Sequence, residues 1–340
     1  MAPPPQKKLL TRQSLQAAGV ILLLVLFTLH QLASQSASRL STSSYNGLIF
    51  TGLSITSISG NSESDLLANS LLTLPNGLGR CERSFPETKI GFNLEKSYVL
   101  PPMTTKVIDT HLEFLSSIGL DKNKLTDSLG HDRNEFGLLQ QIVLQKCQTA
   151  IETWGTCTTG ETGFATGTSA VAILQTHGMA VEAANCGMVS STHYAIDPLQ
   201  QVYYNNAGAR GVANYFHNSG ASMNFYLVNE TAALSLASFT KSRSCFDVIL
   251  LDDGHKFEEN IMEITLAITL VPIGGVIVMH DTWMASIKAT KTWIAQNLGN
   301  SIQIVEQKFA RNMMVLVKIA PDDRAWDHFV PFSTEFRDGN

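Results

Sequence analysis

The sequence lacks several patterns that would assign it to a common functional class. Its 340 residues contain no C-x-x-C pair, so a structural zinc site is not expected. Five widely spaced cysteines do not form the pattern of a disulfide scaffold, although they leave room for one bridge in an oxidising lumen. No long run of one charge is present and the net charge is −5, which argues against a nucleic-acid-binding surface.

Two nucleotide-binding signatures are missing as well. The chain has no G-x-G-x-x-G turn, which disfavours a dinucleotide-binding protein, and its glycine-rich turn lacks the lysine of a P-loop. Apolar residues make up 44% of the sequence, which is ample for a buried core. A chain of this length can form one large domain or two smaller ones.

The N-terminus has the pattern of a membrane anchor. Lys7, Lys8 and Arg12 precede the apolar segment 17–33, which is a little shorter than the roughly 20 residues of a typical spanning helix. We predict an uncleaved signal anchor in a single-pass type II protein whose catalytic domain faces the endoplasmic reticulum or Golgi lumen. A cleaved signal peptide and a buried helix remain alternatives.

The rest of the chain divides by composition and periodicity. Residues 1–33 form the tail and anchor, and the serine-rich segment 34–64 is typical of a flexible stalk. Residues 65–135 form a helical, substrate-side region, and 136–320 form an α/β domain followed by a tail at 321–340. Helical spacing is strongest in 104–120 and 132–155.

From residue 156 onward, strand and helix patterns alternate. This alternation predicts an α/β fold with a Rossmann-like, doubly wound sheet that is mostly parallel. The last two strand patterns, in 301–307 and 312–319, are separated by only "KFAR", which is too short for a parallel crossover. We therefore expect the sheet to end in an antiparallel hairpin. Residues 178–191 have the appearance of an insertion.

The stretch "ETGFATGTSA" resembles a ligand-binding turn between a strand and a helix. Gly163 and Gly167 would let the backbone approach a nucleotide-like ligand at the helix N-terminus. We assign Glu161, Gly163, Phe164, Gly167, Thr168 and Ser169 to this site. Asp197 ends the next strand, where an acid commonly binds ribose hydroxyls, although it could instead cap a helix or form a turn. Glu230 ends the following strand and is an adenosine-side candidate.

Two later strands end in acids and imidazoles. "FDVILLDDGH" places Asp252, Asp253 and His255 after an apolar strand, and "GGVIVMHD" places His280 and Asp281 after another. Ligands bind at the carboxyl ends of strands in such sheets. The alternative is that Asp252 and Asp253 are helix N-caps and that His255 is an ordinary first-turn residue.

Together these motifs resemble the class I S-adenosylmethionine-dependent methyltransferases. The resemblance covers about 136–319 and is closest to the metal-dependent branch that includes catechol, caffeoyl-CoA and macrocin O-methyltransferases. It implies a seven-stranded methyltransferase fold, S-adenosylmethionine as cofactor and a bound Mg²⁺ or Mn²⁺. By the same resemblance, Asp252 and Asp281 hold the metal and His255 removes the proton of the acceptor hydroxyl.

The chain departs from that branch in its third metal ligand, where His280 stands beside Asp281. Neighbouring residues on a strand point to opposite faces, so both can reach one ion only if the strand has already ended. The chemistry is consistent with the resemblance, because carboxylates hold a hard cation that polarises a hydroxyl and histidine can accept its proton. Trp283 could line the acceptor pocket, but a core position like that of Trp293 is the commoner one.

We therefore predict a membrane-anchored, metal-assisted O-methyltransferase that acts on a hydroxyl of a sugar or small metabolite. Its partners would be that small-molecule or glycan acceptor, the membrane and a second copy in a homodimer, with no nucleic acid. The rival interpretations are an NAD-dependent oxidoreductase on a similar sheet and a non-catalytic lumenal binding protein that kept the fold.

Overall fold

The computed structural model describes residues 48–51, 54–57, 81, 83–86, 94, 101–121, 133–184, 190–221, 223–307, 309–325 and 327–333. The predicted anchor at 17–33 lies outside these residues. Among the described residues, no helix combines the length and the apolar character needed to cross a bilayer. The anchor therefore stays a prediction.

The described strands join in one nine-stranded sheet. In chain order they are β1 Leu48–Thr51, β2 Ser54–Ser57, β3 Thr156–Thr162, β4 Ser190–Ile196, β5 Asn224–Val228, β6 Val248–Leu251, β7 Val276–Met279, β8 Ile302–Val305 and β9 Met314–Lys318. The spatial order is β2-β1-β5-β4-β3-β6-β7-β9-β8. Strands β5, β4, β3, β6 and β7 run parallel, while β9 is antiparallel to both β7 and β8. The predicted α/β fold with a terminal antiparallel hairpin is confirmed.

Helices cover both faces of this sheet. They are α1 Pro102–Ser117, α2 Arg133–Trp154, α3 Thr168–Ala184, α4 Ala207–Ser219, α5 Ala232–Lys241, α6 Phe257–Leu270 and α7 Ala285–Asn297. The apolar strand β6 shows why two layers form. Val248 and Leu250 pack into the core beneath α2 and α3, whereas Ile249 and Leu251 pack against α5, α6 and α7. Alternate side chains of a strand point to opposite faces, so both faces need a cover.

Three segments differ from the sequence-based expectations. Residues 178–184 are the last turns of α3 and no insertion, because the helix continues to Ala184. Helix α2 crosses the predicted boundary at 135/136, so the helical region and the sheet domain share an element. Strands β1 and β2 lie within the predicted stalk and extend the sheet at β5, where no strand was expected. The rest of 34–64 lies outside the described residues.

Two disulfides tie the domain together, one more than the sequence suggested. Cys81 bonds to Cys245, in the connection between α5 and β6, across a sequence separation of 164. Cys147 of α2 bonds to Cys157 of β3 within the core. In the chain-entropy account a long loop gains most from such a link, about 4–5 kcal/mol for a hundred residues or more.

The two disulfides predict how many cysteine thiols can be alkylated before reduction. With four of the five cysteines bonded, alkylation of the denatured, unreduced protein should label one thiol per chain, and Cys186 is the residue left for it. Labelling after reduction should reach five. Peptide mapping by mass spectrometry identifies the labelled residue. Three or more labelled thiols before reduction would contradict the pairing.

Candidate functional site

The acids and imidazoles of the two strand ends meet at one edge of the sheet. Strands β6 and β7 are parallel neighbours in which Leu251 pairs with Met279, the last residue of each strand. Asp252 and His280 follow directly, and the backbone N–H of His280 still donates to the carbonyl of Leu251 at 3.0 Å. The register therefore places the two side-chain groups side by side.

Three of these residues offer ligand atoms to a common point. One atom each from Asp252, His255 and Asp281 lies within 4.8 Å of the other two. The Nε2 atom of His255 is 3.0 Å from Oδ2 of Asp281. The Nδ1 atom of His280 is 3.0 Å from Oδ1 of Asp252 and 3.4 Å from Oδ1 of Asp281.

The backbone at Asp281 explains how adjacent residues share this edge. Its φ is 55°, in the left-handed region that residues other than glycine seldom adopt. Strand β7 has already ended at Met279, so alternation no longer separates His280 from Asp281. Trp283 Nε1 and Asn312 Nδ2 donate to Oδ1 of Asp281 at 3.0 and 3.2 Å and hold the carboxylate in place. A backbone outlier held by its surroundings is typical of a functional site.

The capping alternative for the two aspartates does not hold. The N-cap of α6 is Lys256, which forms a capping box with Glu259, and the helix begins only at Phe257. Asp252 and Asp253 are therefore not its caps. His255 precedes the cap and leads into the helix without being part of its first turn.

Sequence reasoning missed two members of the cluster. Glu135, in the first turn of α2, places Oε2 3.4 Å from Nε2 of His280. Asn312, in the connection between β8 and β9, places Nδ2 3.2 Å from the same nitrogen. Acids are common in the first turn of a helix, so nothing in the sequence marked Glu135 as a site residue. A single asparagine in a hairpin connection is equally uninformative. Both ring nitrogens of His280 thus have protein partners.

The acids and histidines of the cluster shift one another's pKa values in different directions. Burial opposes the charged form of His280, but hydrogen bonds to Asp252 and Glu135 outweigh it and raise its pKa to about 10. The hydrogen bond from His255 holds the pKa of Asp281 far below its usual range, and the same bond raises the pKa of His255. Burial raises the pKa of Asp252, with His280 acting in the opposite direction. The carboxylates therefore favour the protonated form of both imidazoles.

The glycine-rich turn lies at the same edge, between β3 and α3. Gly163 has a φ of +79°, and a Cβ there would lie 2.0 Å from the backbone oxygen of Asp252. Gly167 has a φ of +75° and would place a Cβ against the ring of Phe164. The turn therefore packs directly on the end of β6, and only glycine fits at this contact.

Asp197 organises this turn from β4. Its Oδ2 accepts the N–H of Ala165 at 2.7 Å and an amide hydrogen of Gln200 at 3.0 Å, while Oδ1 accepts the N–H of Leu199 at 2.6 Å. The carboxylate is buried, and both its oxygens already serve the protein. The observed contacts are those of the turn former that the sequence left as an alternative.

The other residues predicted to bind the cofactor differ in their burial and in their contacts. Phe164 is buried against Phe225, with ring centroids 5.7 Å apart, so its ring is part of the core. Thr168 and Ser169 are buried at the start of α3, and Glu230 is half-buried after β5. Glu161 lies buried beside His193, whose Nε2 is 3.3 Å from Oε1.

The acceptors beneath the turn are closed off from solvent. Both carboxylate oxygens of Glu161 and Oε1 of Gln200 are fully buried, and Nε2 of His193 lies 3.3 Å from Oε1 of Glu161. A ligand on the surface of the turn does not reach these atoms in the arrangement observed. The assignment of Glu161 to the cofactor site therefore stays a prediction.

Comparison with known proteins agrees with this geometry. Residues 161–282 match a family profile described as a methyltransferase domain. The match contains the glycine-rich turn and both acidic strand ends. Residues 161–282 are thus similar to a methyltransferase domain. The family prediction and the prediction of an enzyme are confirmed, and the oxidoreductase alternative is not supported.

Several solved structures have a partly similar fold. A structural genomics target from Corynebacterium glutamicum is 11% identical, covers 78% of this chain and 100% of its own, and has a TM-score of 0.45. The methyltransferase PaMTH1 of Podospora anserina, solved with S-adenosylhomocysteine, is 12% identical with coverages of 78% and 99% and a TM-score of 0.41. The O-methyltransferase TomG of Streptomyces achromogenes is 12% identical, with coverages of 65% and 91% and a TM-score of 0.41. TM-scores below 0.5 do not support an argument about the function of this chain. No curated protein sequence matches the chain.

The contact at Gly163 generates a prediction with an internal control. Gly155 also has a positive φ, +73°, but a Cβ there meets nothing within 4 Å. Gly155→Ala should cost only the left-handed backbone penalty, about 1–2 kcal/mol. Gly163→Ala should cost a further ~1–3 kcal/mol, since a methyl group must displace the backbone at Asp252.

Urea unfolding of both variants measures this difference. Equal losses of stability in Gly155→Ala and Gly163→Ala would mean that a methyl group at Gly163 does not clash with the backbone after β6. The nearest obstacle to a side chain at Gly163 is the backbone oxygen of Asp252.

Proposed function

We propose that the protein is an O-methyltransferase that uses S-adenosylmethionine and a divalent metal to methylate a hydroxyl of a sugar or small metabolite. The observation that carries this proposal is the cluster of Asp252, His255 and Asp281 beside the glycine-rich turn. A cation-binding set next to a methyl-donor site is what methylation of a weakly acidic hydroxyl requires.

The donor atoms suit a hard divalent ion. Two carboxylates and an imidazole are a ligand set for Mg²⁺ or Mn²⁺, with water or substrate oxygens completing the shell. Asp252 and Asp281 would hold the ion, with His255 as the third protein ligand of the observed group. His280, predicted from the sequence as a ligand, would have to release a proton and its contact with Asp252 or Glu135 to bind the ion. The buried Oδ1 of Asn312, which lacks a hydrogen-bond partner in the described residues, is a further acceptor at this place. When bound, the ion would lower the pKa of an acceptor hydroxyl and orient it.

His255 and Asp281 form the arrangement expected of a general base and its orienting group. If Nε2–H of His255 donates to Asp281, the tautomer is fixed and Nδ1 is left to accept a proton. His255 would take the proton of the acceptor O–H as the oxygen attacks, and would later release it to solvent. The methyl donor, when bound, would supply the methyl group and keep the electron pair of its broken carbon–sulfur bond.

The glycine-rich turn would position the methyl donor. Its backbone lies against the end of β6, so a cofactor bound there would be adjacent to Asp252. Placing the reacting groups in one line supplies much of the rate enhancement in a displacement reaction.

We also propose that the domain matures in an oxidising compartment, with the segment 17–33 as its membrane anchor. Two disulfides support this location, because structural disulfides persist in secretory lumens and are rare in the cytosol. Carbonate extraction and protease protection of microsomes would test the anchor and its orientation together.

Metal dependence is tested with the full chain, labelled S-adenosylmethionine and a panel of glycosides and phenols. Chelation with EDTA should abolish methyl transfer, and Mg²⁺ or Mn²⁺ should restore it. Asp252→Asn should weaken Mn²⁺ binding by about 10-fold or more, since a charged ligand is lost, while S-adenosylhomocysteine still binds in calorimetry. Asp253→Asn is the matched control, because Asp253 is not part of the three-ligand group. Activity that survives chelation would contradict the metal assignment.

The role of His255 is tested separately. If it is the base, His255→Ala should lower turnover by about 10²–10⁴ while bound Mn²⁺ and cofactor affinity stay unchanged. If it is instead a metal ligand, Mn²⁺ affinity falls with the rate. The exposed His217, at the end of α4, provides the control substitution His217→Ala. A wild-type rate in His255→Ala would rule out both roles.

A further inference from the structure

An aromatic side chain lies open to solvent at the rim of the site. Trp283 is 64% exposed, whereas Trp293, ten residues later, is 9% exposed and packs in the core. The sequence made a core position the commoner expectation for both. A single exposed aromatic residue is ordinary on a protein surface. What distinguishes Trp283 is its place, because it contacts Asp281 at the edge of the acidic cluster.

The indole is held in place despite its exposure. Its Nε1–H donates to Oδ1 of Asp281 at 3.0 Å. The backbone on either side is fixed too, because Thr282 Oγ1 donates to the carbonyl of Arg311 at 2.7 Å and the N–H of Met284 donates to the carbonyl of Asp281 at 2.9 Å. A ring anchored by its edge on an ordered loop presents a preformed surface.

Asp281 links this surface to the proposed base. One carboxylate oxygen accepts from Trp283, and the other contacts Nε2 of His255 at 3.0 Å. A ring that lay on Trp283 would therefore have its substituents next to His255. This is the position that the acceptor hydroxyl must occupy.

We propose that Trp283 is the platform on which the acceptor binds, and that the acceptor is a pyranose ring of a sugar or glycan. This inference rests on the proposed function and narrows its substrate class.

The geometry favours a sugar over a phenol for two reasons. A pyranose can place its C–H face on one indole and leave its outward hydroxyls in water, so a single exposed wall is sufficient. A flat phenol gains affinity mainly by complete burial of its apolar surface, which an open ring does not provide.

The experiment compares Trp283→Ala and Trp283→Phe with Trp154→Phe in the full-length protein. Trp154, half-buried at the end of α2 and in contact with Phe85, lies at the opposite end of β3 and serves as the control for loss of one chromophore. The acceptors are methyl glycosides of glucose, galactose, mannose, fucose, xylose and N-acetylglucosamine, together with catechol and methyl gallate.

We expect at least one glycoside to be methylated. Trp283→Ala should raise its KM by about tenfold, the equivalent of one aromatic stacking contact, and Trp283→Phe should raise it less. Both variants also lose the hydrogen bond from Nε1 to Asp281, so kcat should fall by a similar factor in the two, whereas the affinity for S-adenosylhomocysteine should not change. The difference in KM between Trp283→Ala and Trp283→Phe therefore reports the stacking surface. Methylation of the phenols alone, or an unchanged glycoside KM in Trp283→Ala, would overturn the proposal.

Binding without turnover separates this inference from the proposed function. The same glycosides should quench tryptophan fluorescence in the wild type and in Trp154→Phe, and Trp283→Phe should abolish the quenching. Quenching that persists in Trp283→Phe, or no quenching in the wild type, would overturn the platform even if methyl transfer is confirmed. Loss of metal dependence or of S-adenosylhomocysteine binding would instead overturn the proposed function.

Discussion

The contact between Gly163 and the backbone of Asp252 is the constraint on which the site depends. The turn after β3 can approach β6 this closely only because Gly163 has no side chain and can adopt a positive φ. The approach places the cofactor side and the acidic side of the site at one sheet edge. Asp197 secures the turn from β4 through the N–H of Ala165. A donor and an acceptor bound at this edge would meet without a large movement of the backbone.

Charge compensation shapes the acidic side in the same way. Carboxylates from three elements converge there, and their mutual repulsion would be costly without cations. His280 lies between Asp252 and Glu135, and its hydrogen bonds to them raise its pKa to about 10. The hydrogen bond to Asp281 likewise raises the pKa of His255. The acids therefore favour positive charge at this edge, either on an imidazole or as a bound cation that replaces its proton.

Much of the fold was predictable, because the apolar alternation of strands and helices from residue 156 onward is a local pattern. The antiparallel end of the sheet followed from the short connection before Asn312, and the pairing of β8 with β9 confirms it. The added strands β1 and β2 were not predictable, since the serine-rich segment has little apolar alternation. Within the site, Asp252, His255 and Asp281 were identifiable because acids after buried strands stand out. Glu135 was not, because it lies 117 residues before Asp252 in sequence.

The sequence by itself determined the class of fold, the sheet edge at which the site lies and the residue types available for chemistry. Those features depend on periodicity and on the rule that parallel strands share one carboxyl edge. Only the tertiary structure decided the direction of each side chain. The side chain of Asp197 accepts a hydrogen bond from the glycine-rich turn, and His280 contacts Asp252 and Glu135 on two different elements. Trp283 lies outside the core. The direction of a side chain depends on which groups, far away in sequence, lie next to it in the folded protein. A local stretch of sequence does not contain that information.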